Sequence, residues 1–453
     1  MGGKMGINKL SEIASVIDSL HKTPKYYESF GYPMVRCTDV KYGYLKLTDT
    51  LLVNEKIFAE FSRRYKPQEN DIIITRVGSY GITALVGDND FCLGQNTSAI
   101  VPKINPRYLY LALNSPQVKN QIEFSVVGST QKTLSLKAIN NLEIPRFGDA
   151  IEKKIASIGG DLDDKIDLNH QNNVTLEQIS QAIFKSWFVD FEPVKAKDYI
   201  RKLGGNSDQI EKAAQAIIAG AVNLEEILSS SNLMDIEGQI KAKLDVKLSF
   251  QTKDQQNILV KTAKVFPDNI VESEMGFIPN GWECKALSEI IELKYGKALK
   301  KNNRKEGKIP VFGSGGEVGF HNEYLVKGPG IIVAKKGSVG NLFWTEDDFF
   351  PIDTTFFVSP IADIHLFWVY RQLCNIDILS LSSDSAVPGV NRNTLLSQNI
   401  VFPALSIIKT FMGFIAPFIH LKNNNQNEIN SLSCLQNELL PRLLSGEITI
   451  SEK

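Results

Sequence analysis

Residues that cross-link a fold or bind metal ions are scarce in this sequence. Only 5 cysteines and 5 histidines occur among 453 residues. The cysteines form an odd, scattered set without any Cys-x-x-Cys pair: Cys37, Cys92, Cys284, Cys374 and Cys434. This argues against a disulfide framework or a structural zinc site and favours a reducing compartment. We therefore expect a cytoplasmic protein that binds no metal.

An excess of one charge and a long apolar run are also missing. The 50 basic and 51 acidic side chains leave a formal net charge of -1, so bulk charge does not point to nucleic acid or to a membrane surface. The most apolar stretch, 401–421, contains Lys409, His420 and two prolines. Only about a dozen residues separate Lys409 from Lys422, whereas a bilayer span needs ~20. We predict no membrane partner.

The short motifs of common active sites are absent as well. The Gly-Ser segments at 78–81 and 337–340 are not followed by Gly-Lys-Ser/Thr, and GSGGEVG at 313–319 spaces its glycines wrongly for a dinucleotide site. Tight turns that aim neighbouring side chains are the better interpretation. The sequence has no Gly-x-Ser-x-Gly elbow and no Asn-Pro-Pro-Tyr/Phe segment of amino-methyltransferases. We therefore predict no catalytic residues.

One nuclease-like spacing needs an explanation. Pro267-Asp268 followed by Glu283-Cys284-Lys285 matches the loose PD…ExK pattern of metal-dependent nucleases. That chemistry needs both carboxylates on adjacent strands of a core sheet around Mg²⁺. The intervening NIVESEMGFIPNGW has no strand pattern, so we predict a linker there and no nuclease site.

What the sequence does contain is an imperfect tandem repeat. IIITRVGSYG at 72–81 matches IIVAKKGSVG at 331–340, and LSEI at 10–13 recurs at 287–290. LSLKAINNLEIP at 134–145 aligns with RNTLLSQNIVFP at 392–403, at the same offset of 258 residues that relates Thr97 to Thr355. Collinear matches over so long a stretch indicate a duplicated domain.

Each copy is followed by a long helical pattern. Apolar residues recur mostly at sums of three and four from Ile151 to Ile183 and from Ile408 to Leu439, which predicts an apolar seam on a helix of some thirty residues, roughly 45–50 Å long. NHQNN at 169–173 and NNNQNE at 423–428 interrupt the two seams at matching places. Packing of each helix on its own domain is one interpretation; we favour pairing of the two helices. Pro417 should kink or break the second helix.

The globular part of each copy is predicted to be mainly β, because short β-branched runs such as 71–75 and 331–333 alternate with glycine-rich segments. Helices are expected near 108–113 and 366–373. Residues 195–275 have no counterpart in the second half and combine helices at 207–221 and 224–228 with a linker. The predicted divisions are therefore 1–147, 148–194, 195–275, 276–403 and 404–453.

The neutral total conceals a segregation of charge. Residues 21–146 hold 16 basic and 11 acidic side chains, and residues 294–400 hold 12 and 10, whereas 147–275 hold 15 and 21. The densest basic run is KYGKALKKNNRKEGK at 294–308, with seven basic residues and one acid. Such a run suits phosphate contacts, although a solvated lysine-rich loop is an equal alternative.

Several stretches make the chain resemble the specificity subunits of type I restriction–modification enzymes. They are IPVFGSGGEVGF at 309–320, GPGIIVAKKGSVG at 328–340, FFPIDTTFFV at 349–358, FKSWFVDFEPV at 184–194, FPDNIVESEMGFIPNGWE at 266–283 and LLPRLLSGEI at 439–448. The resemblance covers most of the chain. It implies an α+β fold in which two β-rich target-recognition domains, related by a pseudo-twofold, are separated by two long antiparallel helices forming a coiled coil.

The resemblance also implies a non-catalytic reader of double-stranded DNA. Each recognition domain would bind one half of a split target, and the helices would set the separation. Two methyltransferase subunits would dock on the helices and restriction subunits would join through them. S-adenosylmethionine, ATP and Mg²⁺ would belong to those partners, so no cofactor is expected in this chain.

Side chains that read base edges are chiefly Arg, Lys, Asn, Gln, Ser and Thr on loops. Under this hypothesis the candidates of the first domain are Arg76, Ser79, Ser129, Thr130, Gln131 and Lys132. Those of the second domain are Lys335, Lys336, Ser338, Asn391, Arg392 and Asn393. Lys300, Lys301 and Arg304 are candidates for phosphate contacts. A coiled-coil scaffold whose β domains bind protein is the alternative function, and a stand-alone nuclease or methyltransferase comes third.

Overall fold

The computed structural model describes residues 6–20, 22–24, 27–127, 132–337, 340–361, 363–381, 389–448 and 450. It divides into two compact units. Unit 1 consists of residues 1–175 and 421–453, and unit 2 consists of residues 176–420. Each unit is described by itself below.

The globular part of unit 1 is built on short strands, as the β-branched runs predict. Its strands are β1 Gly6–Lys9, β2 Ala14–Asp18, β3 Tyr32–Val35, β4 Leu51–Val53, β5 Ile72–Thr75, β6 Thr83–Leu85, β7 Cys92–Leu93, β8 Thr97–Pro102 and β9 Glu143–Arg146. Its helices are α1 Leu10–Ile13, α2 Glu55–Phe61, α3 Pro106–Leu113, α4 Pro116–Ser125 and α5 Leu136–Asn140. The β5 sequence IIIT is buried on both faces, as β-branched side chains favour in a central strand.

A long helix and five shorter ones follow. They are α6 Asp149–Phe188, α7 Glu192–Lys202, α8 Ser207–Ile218, α9 Leu224–Leu228, α10 Leu233–Ser249 and α11 Lys253–Val265. Helices α7 to α10 pack around a small core that includes Ile200, Ile217, Ile236 and Ile240.

The second β-rich domain lies in unit 2. Its strands are β10 Ile270–Ser273, β11 Gly276–Pro279, β12 Glu283–Ala286, β13 Ile291–Tyr295, β14 Ile309–Gly313, β15 Gly316–His321, β16 Gly330–Ala334, β17 Leu342–Thr345, β18 Phe350–Pro351, β19 Thr355–Pro360 and β20 Asn399–Phe402. Its helices are α12 Leu366–Cys374 and α13 Arg392–Leu396, and the last helix in the described residues is α14 Leu405–Leu444. Helices α3 and α12 confirm the helices predicted at 108–113 and 366–373.

The strand order of the first domain is repeated in the second. A four-stranded sheet has the order β2-β8-β5-β6 in one and β13-β19-β16-β17 in the other. A three-stranded sheet has the order β4-β3-β7 or β15-β14-β18, and a two-stranded pair is β1-β9 or β12-β20. The pairing register is also the same in both sheets. Asp18, the last residue of β2, pairs with Ser98 of β8, and Tyr295, the last residue of β13, pairs with Phe356 of β19. The predicted duplication is confirmed at the level of topology.

The two long helices pair in an antiparallel arrangement within unit 1. The Asn169 side-chain amide donates to Glu428 at 2.8 Å, and that of Asn425 donates to Asn173 at 3.0 Å. Asn169, Asn173 and Asn425 are all buried. The polar residues that interrupt the two seams are therefore hydrogen-bonded to each other across the helix pair. Such pairs fix the register of a coiled coil.

Within unit 2 the same two helices pair through aromatic side chains. Phe184, Trp187 and Phe188 of α6 lie with their ring centroids 5.1–5.7 Å from that of Phe411 of α14. Trp368 of α12 packs on Phe188 with a centroid distance of 5.9 Å. The prediction that the helices pair with each other is therefore confirmed in both units.

Two details of the prediction for the long helices are wrong. Each long helix has 40 residues instead of some thirty. Of the predicted kink or break at Pro417, the break does not occur, because α14 continues through this residue. Proline lacks one helical hydrogen bond, and the burial of Phe411 and Ile415 in the core of unit 2 offsets that loss.

The segment predicted to be a linker is also ordered. Helices α10 and α11 fill much of it, with Ile236, Ile240 and Leu244 of α10 buried at intervals of four. Residues 270–279 form a β-hairpin of strands β10 and β11. Thr252 starts α11 with a capping box to Gln255, a signal that the sequence contained.

Helix α14 is long and apolar enough to cross a membrane by length and composition alone. A core helix passes the same test. Ile407, Ile408, Phe411 and Ile415 of α14 are buried in the core of unit 2, and 28% of the helix's most apolar 18-residue window is buried.

The asparagine pair allows a test of the helix register. Asn425→Leu leaves the buried Asn173 amide without its partner, and we expect a loss of about 1–3 kcal/mol in the free energy of unfolding, measured with urea. Replacing both residues by leucine removes the unsatisfied group and should restore most of that loss. A double variant as unstable as the sum of the two single variants would show that the pair does not act as a unit.

Candidate nucleic-acid interface

The glycines of the two Gly-Ser loops have similar φ angles in both domains. Each follows a central strand, β5 or β16. Gly78 and Gly81 have φ of 75°, and Gly337 and Gly340 have φ of 81° and 83°. Side chains other than glycine rarely adopt this left-handed region, so the glycines make the tight turn that the sequence predicted.

Arg76, the basic residue before the first loop, is held inside the domain. Its Nη1 lies 2.5 Å from Asp18 Oδ1, and its Nε donates to the Leu134 carbonyl at 3.1 Å. Ser98 donates to the same Asp18 oxygen at 3.0 Å. The side chains of Arg76 and Asp18 are 11% and 10% exposed. These contacts indicate that Arg76 stabilises the domain, and we do not assign it a contact with DNA.

The other candidates of the first domain lie on its surface or outside the described residues. Ser79 is exposed. Lys132 is exposed and contacts Glu123 at 2.7 Å and the Tyr80 hydroxyl at 3.2 Å. The hydrogen bond to the Glu123 carboxylate raises the pKa of Lys132. Ser129, Thr130 and Gln131 lie outside the described residues.

In the second domain, Lys335 occupies the position of Arg76 but has different neighbours. Its ammonium lies 4.6 Å from the centroid of the Tyr295 ring and 5.6 Å from that of Phe356. Lys336 is exposed, and its backbone bridges to Gly389. Ser338 lies outside the described residues.

The segment before the closing strand presents a second group of polar residues. The Asn391 side chain caps α13 by accepting hydrogen bonds from the backbone amides of Asn393 and Thr394. The Arg392 Nε donates to the Leu293 carbonyl at 2.7 Å. This bond anchors the guanidinium on the sheet, and its other nitrogens form no hydrogen bond within the part of the chain that the structure describes. The Asn393 residue is exposed.

The basic run at 294–308 divides into free and bound side chains. Lys300 and Lys301 are exposed at a short 3-10 helix, Lys301–Asn303. Arg304 donates its Nη1 to the Val318 carbonyl at 2.5 Å, so it also holds the neighbouring hairpin in place. Lys300 and Lys301 therefore suit phosphate contacts better than Arg304 does.

A comparison with known proteins identifies the family. The family model described as "Type I restriction modification DNA specificity domain" matches residues 4–178 and 279–431. The chain belongs to the type I restriction–modification DNA specificity family. The two matched segments contain the two β-rich domains, so the resemblance inferred from the sequence is confirmed. The chain has two copies of a DNA-sequence-recognition domain, which fits a bipartite target.

Curated relatives agree with this assignment over most of their length. The HindI specificity subunit of Haemophilus influenzae is 28% identical over 84% of this chain and 87% of its own length. The MjaIX specificity subunit of Methanocaldococcus jannaschii is 23% identical over 98% of this chain and 94% of its own. A type I S subunit from M. genitalium superposes with a TM-score of 0.49 at 17% identity, covering 98% of this chain and 96% of that one.

Other features of this specificity-family chain do not form a competing site. Among the described residues no group of three or more His, Cys, Asp or Glu is placed to hold a metal ion. The nuclease-like residues serve other contacts: Asp268 pairs with the buried Lys197 at 3.0 Å, and Glu283 pairs with Lys285 at 2.7 Å.

A cavity of about 1100 Å³ lies in unit 1, lined by residues such as Tyr42, Tyr44, Arg107 and Asp163. Burial raises the pKa of the Asp163 carboxyl group. None of the candidate residues that the structure describes lines this cavity.

Sequence reasoning missed Tyr295 as a member of the site. Its side chain is 56% exposed at the end of β13, and its ring lies under the Lys335 ammonium. The signal was present, because Tyr295 is the aromatic residue within the basic run at 294–308. Its contact with Lys335, 40 positions away, depends on the pairing of β13, β19 and β16.

The ion pair of the first domain generates a stability prediction. Arg76→Gln removes the guanidinium that lies 2.5 Å from the nearly buried Asp18 carboxylate, and we expect a loss of about 3–5 kcal/mol in the free energy of unfolding. The double variant Asp18→Asn/Arg76→Gln should recover part of it, as measured by urea unfolding. An Arg76→Gln protein of unchanged stability that loses one half-site would instead make Arg76 a DNA contact.

Proposed function

We propose that this chain is the non-catalytic DNA-reading subunit of a type I restriction–modification complex. Each β-rich domain reads one short half of a split target in double-stranded DNA. The observation that carries the proposal is the duplication of one DNA-specificity fold, with the same strand order in residues 6–146 and 283–402. Two copies of a reading domain in one chain suit a target with two separate halves.

The paired helices provide the separation between the halves. A 40-residue helix is about 60 Å long at 1.5 Å per residue, whereas one turn of B-DNA is about 34 Å. The buried amide pair of Asn173 and Asn425 holds the register, so the spacing that the helices set is constant.

The same helices offer surfaces to other subunits. Leu168, Val174 and Ile179 of α6 are exposed, as are Leu421 and Leu435 of α14. Apolar side chains on the outside of a helix pair suit a protein partner. We propose that two methyltransferase subunits dock there and that restriction subunits join the complex. S-adenosylmethionine, ATP and Mg²⁺ bind to those partners, and the complex acts in the cytoplasm, where the DNA is.

Mapping of methylated bases tests the proposal. In DNA from cells that carry the complete system, we expect methylation at one bipartite sequence with a constant gap between its halves. Exchanging residues 283–402 for those of a relative should change one half of the sequence and leave the other half and the gap unchanged. A gel-shift experiment with and without the methyltransferase subunit is the control. Absence of DNA binding in both states would favour the coiled-coil scaffold.

The Arg392 guanidinium provides a sharper test within the second domain. Since its Nε is anchored on the Leu293 carbonyl, its remaining donors have the fixed geometry that suits a base edge. We expect Arg392→Ala to cost about 1–3 kcal/mol in binding and to relax recognition of one half-site only. Binding to duplexes with each half scrambled in turn measures this.

The outcome separates three roles for Arg392. Equal weakening on every duplex would make Arg392 a phosphate contact, and unchanged binding would remove it from the site. Ser397→Ala, at the exposed C-cap of α13, is the matched control for disturbance of this helix.

A further inference from the structure

The two domains present one corner of the fold in two different forms. In the first domain this corner lies where strand β2 ends beside the residues that follow strand β5. In the second domain it lies where β13 ends beside the residues that follow β16. Asp18 ends β2 and faces Ser98, as Tyr295 ends β13 and faces Phe356. The Arg76 amide donates to Asn96 at 2.9 Å, as the Lys335 amide donates to Thr354 at 2.9 Å. These hydrogen bonds establish that Arg76 and Lys335 are structurally equivalent.

The residues that follow Arg76 and Lys335 are equivalent as well. Val77 forms a β-bridge to Thr133, and Lys336 forms a β-bridge to Gly389. In both domains the residue after this bridge partner donates its amide to the basic residue: Leu134 to Arg76 at 2.8 Å, and Val390 to Lys335 at 3.1 Å. The triad of positions is therefore Asp18, Arg76 and Val77 in the first domain, and Tyr295, Lys335 and Lys336 in the second.

In the first corner the basic side chain is paired and nearly buried. The guanidinium of Arg76 pairs with the carboxylate of Asp18, both side chains are nearly buried, and Val77 has no charge. The second corner carries two positive charges. Tyr295 has no charge, and in the part of the chain that the structure describes neither Lys335 nor Lys336 lies within ion-pair distance of a carboxylate.

The aromatic residue gives the second corner a fixed shape. The Tyr295 ring packs edge-on against Phe356 with a centroid distance of 5.0 Å, and the Lys335 ammonium lies over both rings. A cation over a ring face is held by the ring quadrupole while its hydrogen-bond donors stay free. Tyr295 thus positions the charge of Lys335 at the surface without neutralising it.

We propose that Lys335 and Lys336 contact the DNA phosphate backbone, that Tyr295 positions Lys335 for this contact, and that the equivalent corner of the first domain makes no such contact. The inference rests on the proposed function. A lysine ammonium is a compact point charge that suits phosphate. The two reading domains therefore bind DNA unequally, and the second contributes more to the salt dependence of binding.

The test uses the assembled complex of this chain with its methyltransferase subunits and a duplex that contains the target. We expect Lys335→Gln and Lys336→Gln each to weaken binding about tenfold. Each should also lower the slope of log affinity against log salt concentration by about 1. The weakening should be the same for duplexes with either half-site scrambled. Lys247→Gln, at an exposed lysine of α10, is the control for net charge and should change neither quantity.

Tyr295 requires a separate readout because it acts through Lys335. Tyr295→Phe retains the ring and should leave the salt slope unchanged, whereas Tyr295→Leu retains an apolar side chain but should lower the slope as Lys335→Gln does. The double variant Tyr295→Leu/Lys335→Gln should be no weaker than Lys335→Gln alone. Additive losses would overturn the positioning role.

Two results would overturn the phosphate assignment. One is an unchanged salt slope in both lysine variants; the other is a loss confined to one half-site, which would mean that these side chains read bases. A wild-type complex that binds no duplex would overturn the proposed function itself, and with it this assignment. A wild-type complex that binds normally while the lysine variants match it would overturn the assignment alone.

Discussion

A helix of 40 residues with one apolar face exposes that face to water unless another surface covers it, and in this protein the second long helix is that surface. Aromatic side chains cover it within unit 2, where Phe411 contacts Phe184, Trp187 and Phe188. Within unit 1 the two helices are also joined by side-chain amide hydrogen bonds, such as the one that Asn425 donates to Asn173. Apolar burial supplies most of the stabilisation of such a pair, and the buried amides restrict it to one register.

The same fold, used twice, carries different chemistry at equivalent positions. Strand order and register are retained between the domains, because they depend on backbone hydrogen bonds and on alternating apolar residues. The loop ends are not constrained in this way. One corner holds an internal ion pair and the other holds two lysines beside a tyrosine, while both domains keep the same sheets. A scaffold of this kind can change what it reads while keeping its architecture.

Much of this was predictable from the sequence. The collinear repeats predicted the duplication, the apolar seams predicted the long helices, and NHQNN and NNNQNE predicted that polar residues would meet between them. The linker predictions, for the end of the 195–275 segment and for NIVESEMGFIPNGW at 269–282, failed because short elements such as β10 and β11 have little periodicity of their own. Those strands are ordered by pairing with each other. The periodicity of a single sequence does not indicate such pairing.

The amino-acid sequence by itself determined the number of domains, their β-rich character and the helices that follow them, since these depend on local periodicity and on repetition. It also placed Arg76 and Lys335 at equivalent positions. Only the tertiary structure decided that their side chains have different partners. Asp18 reaches Arg76 across 58 positions of chain, and Tyr295 reaches Lys335 across 40. The partner of a charge is set by which strands pair, and that partner decides whether the charge remains available to DNA.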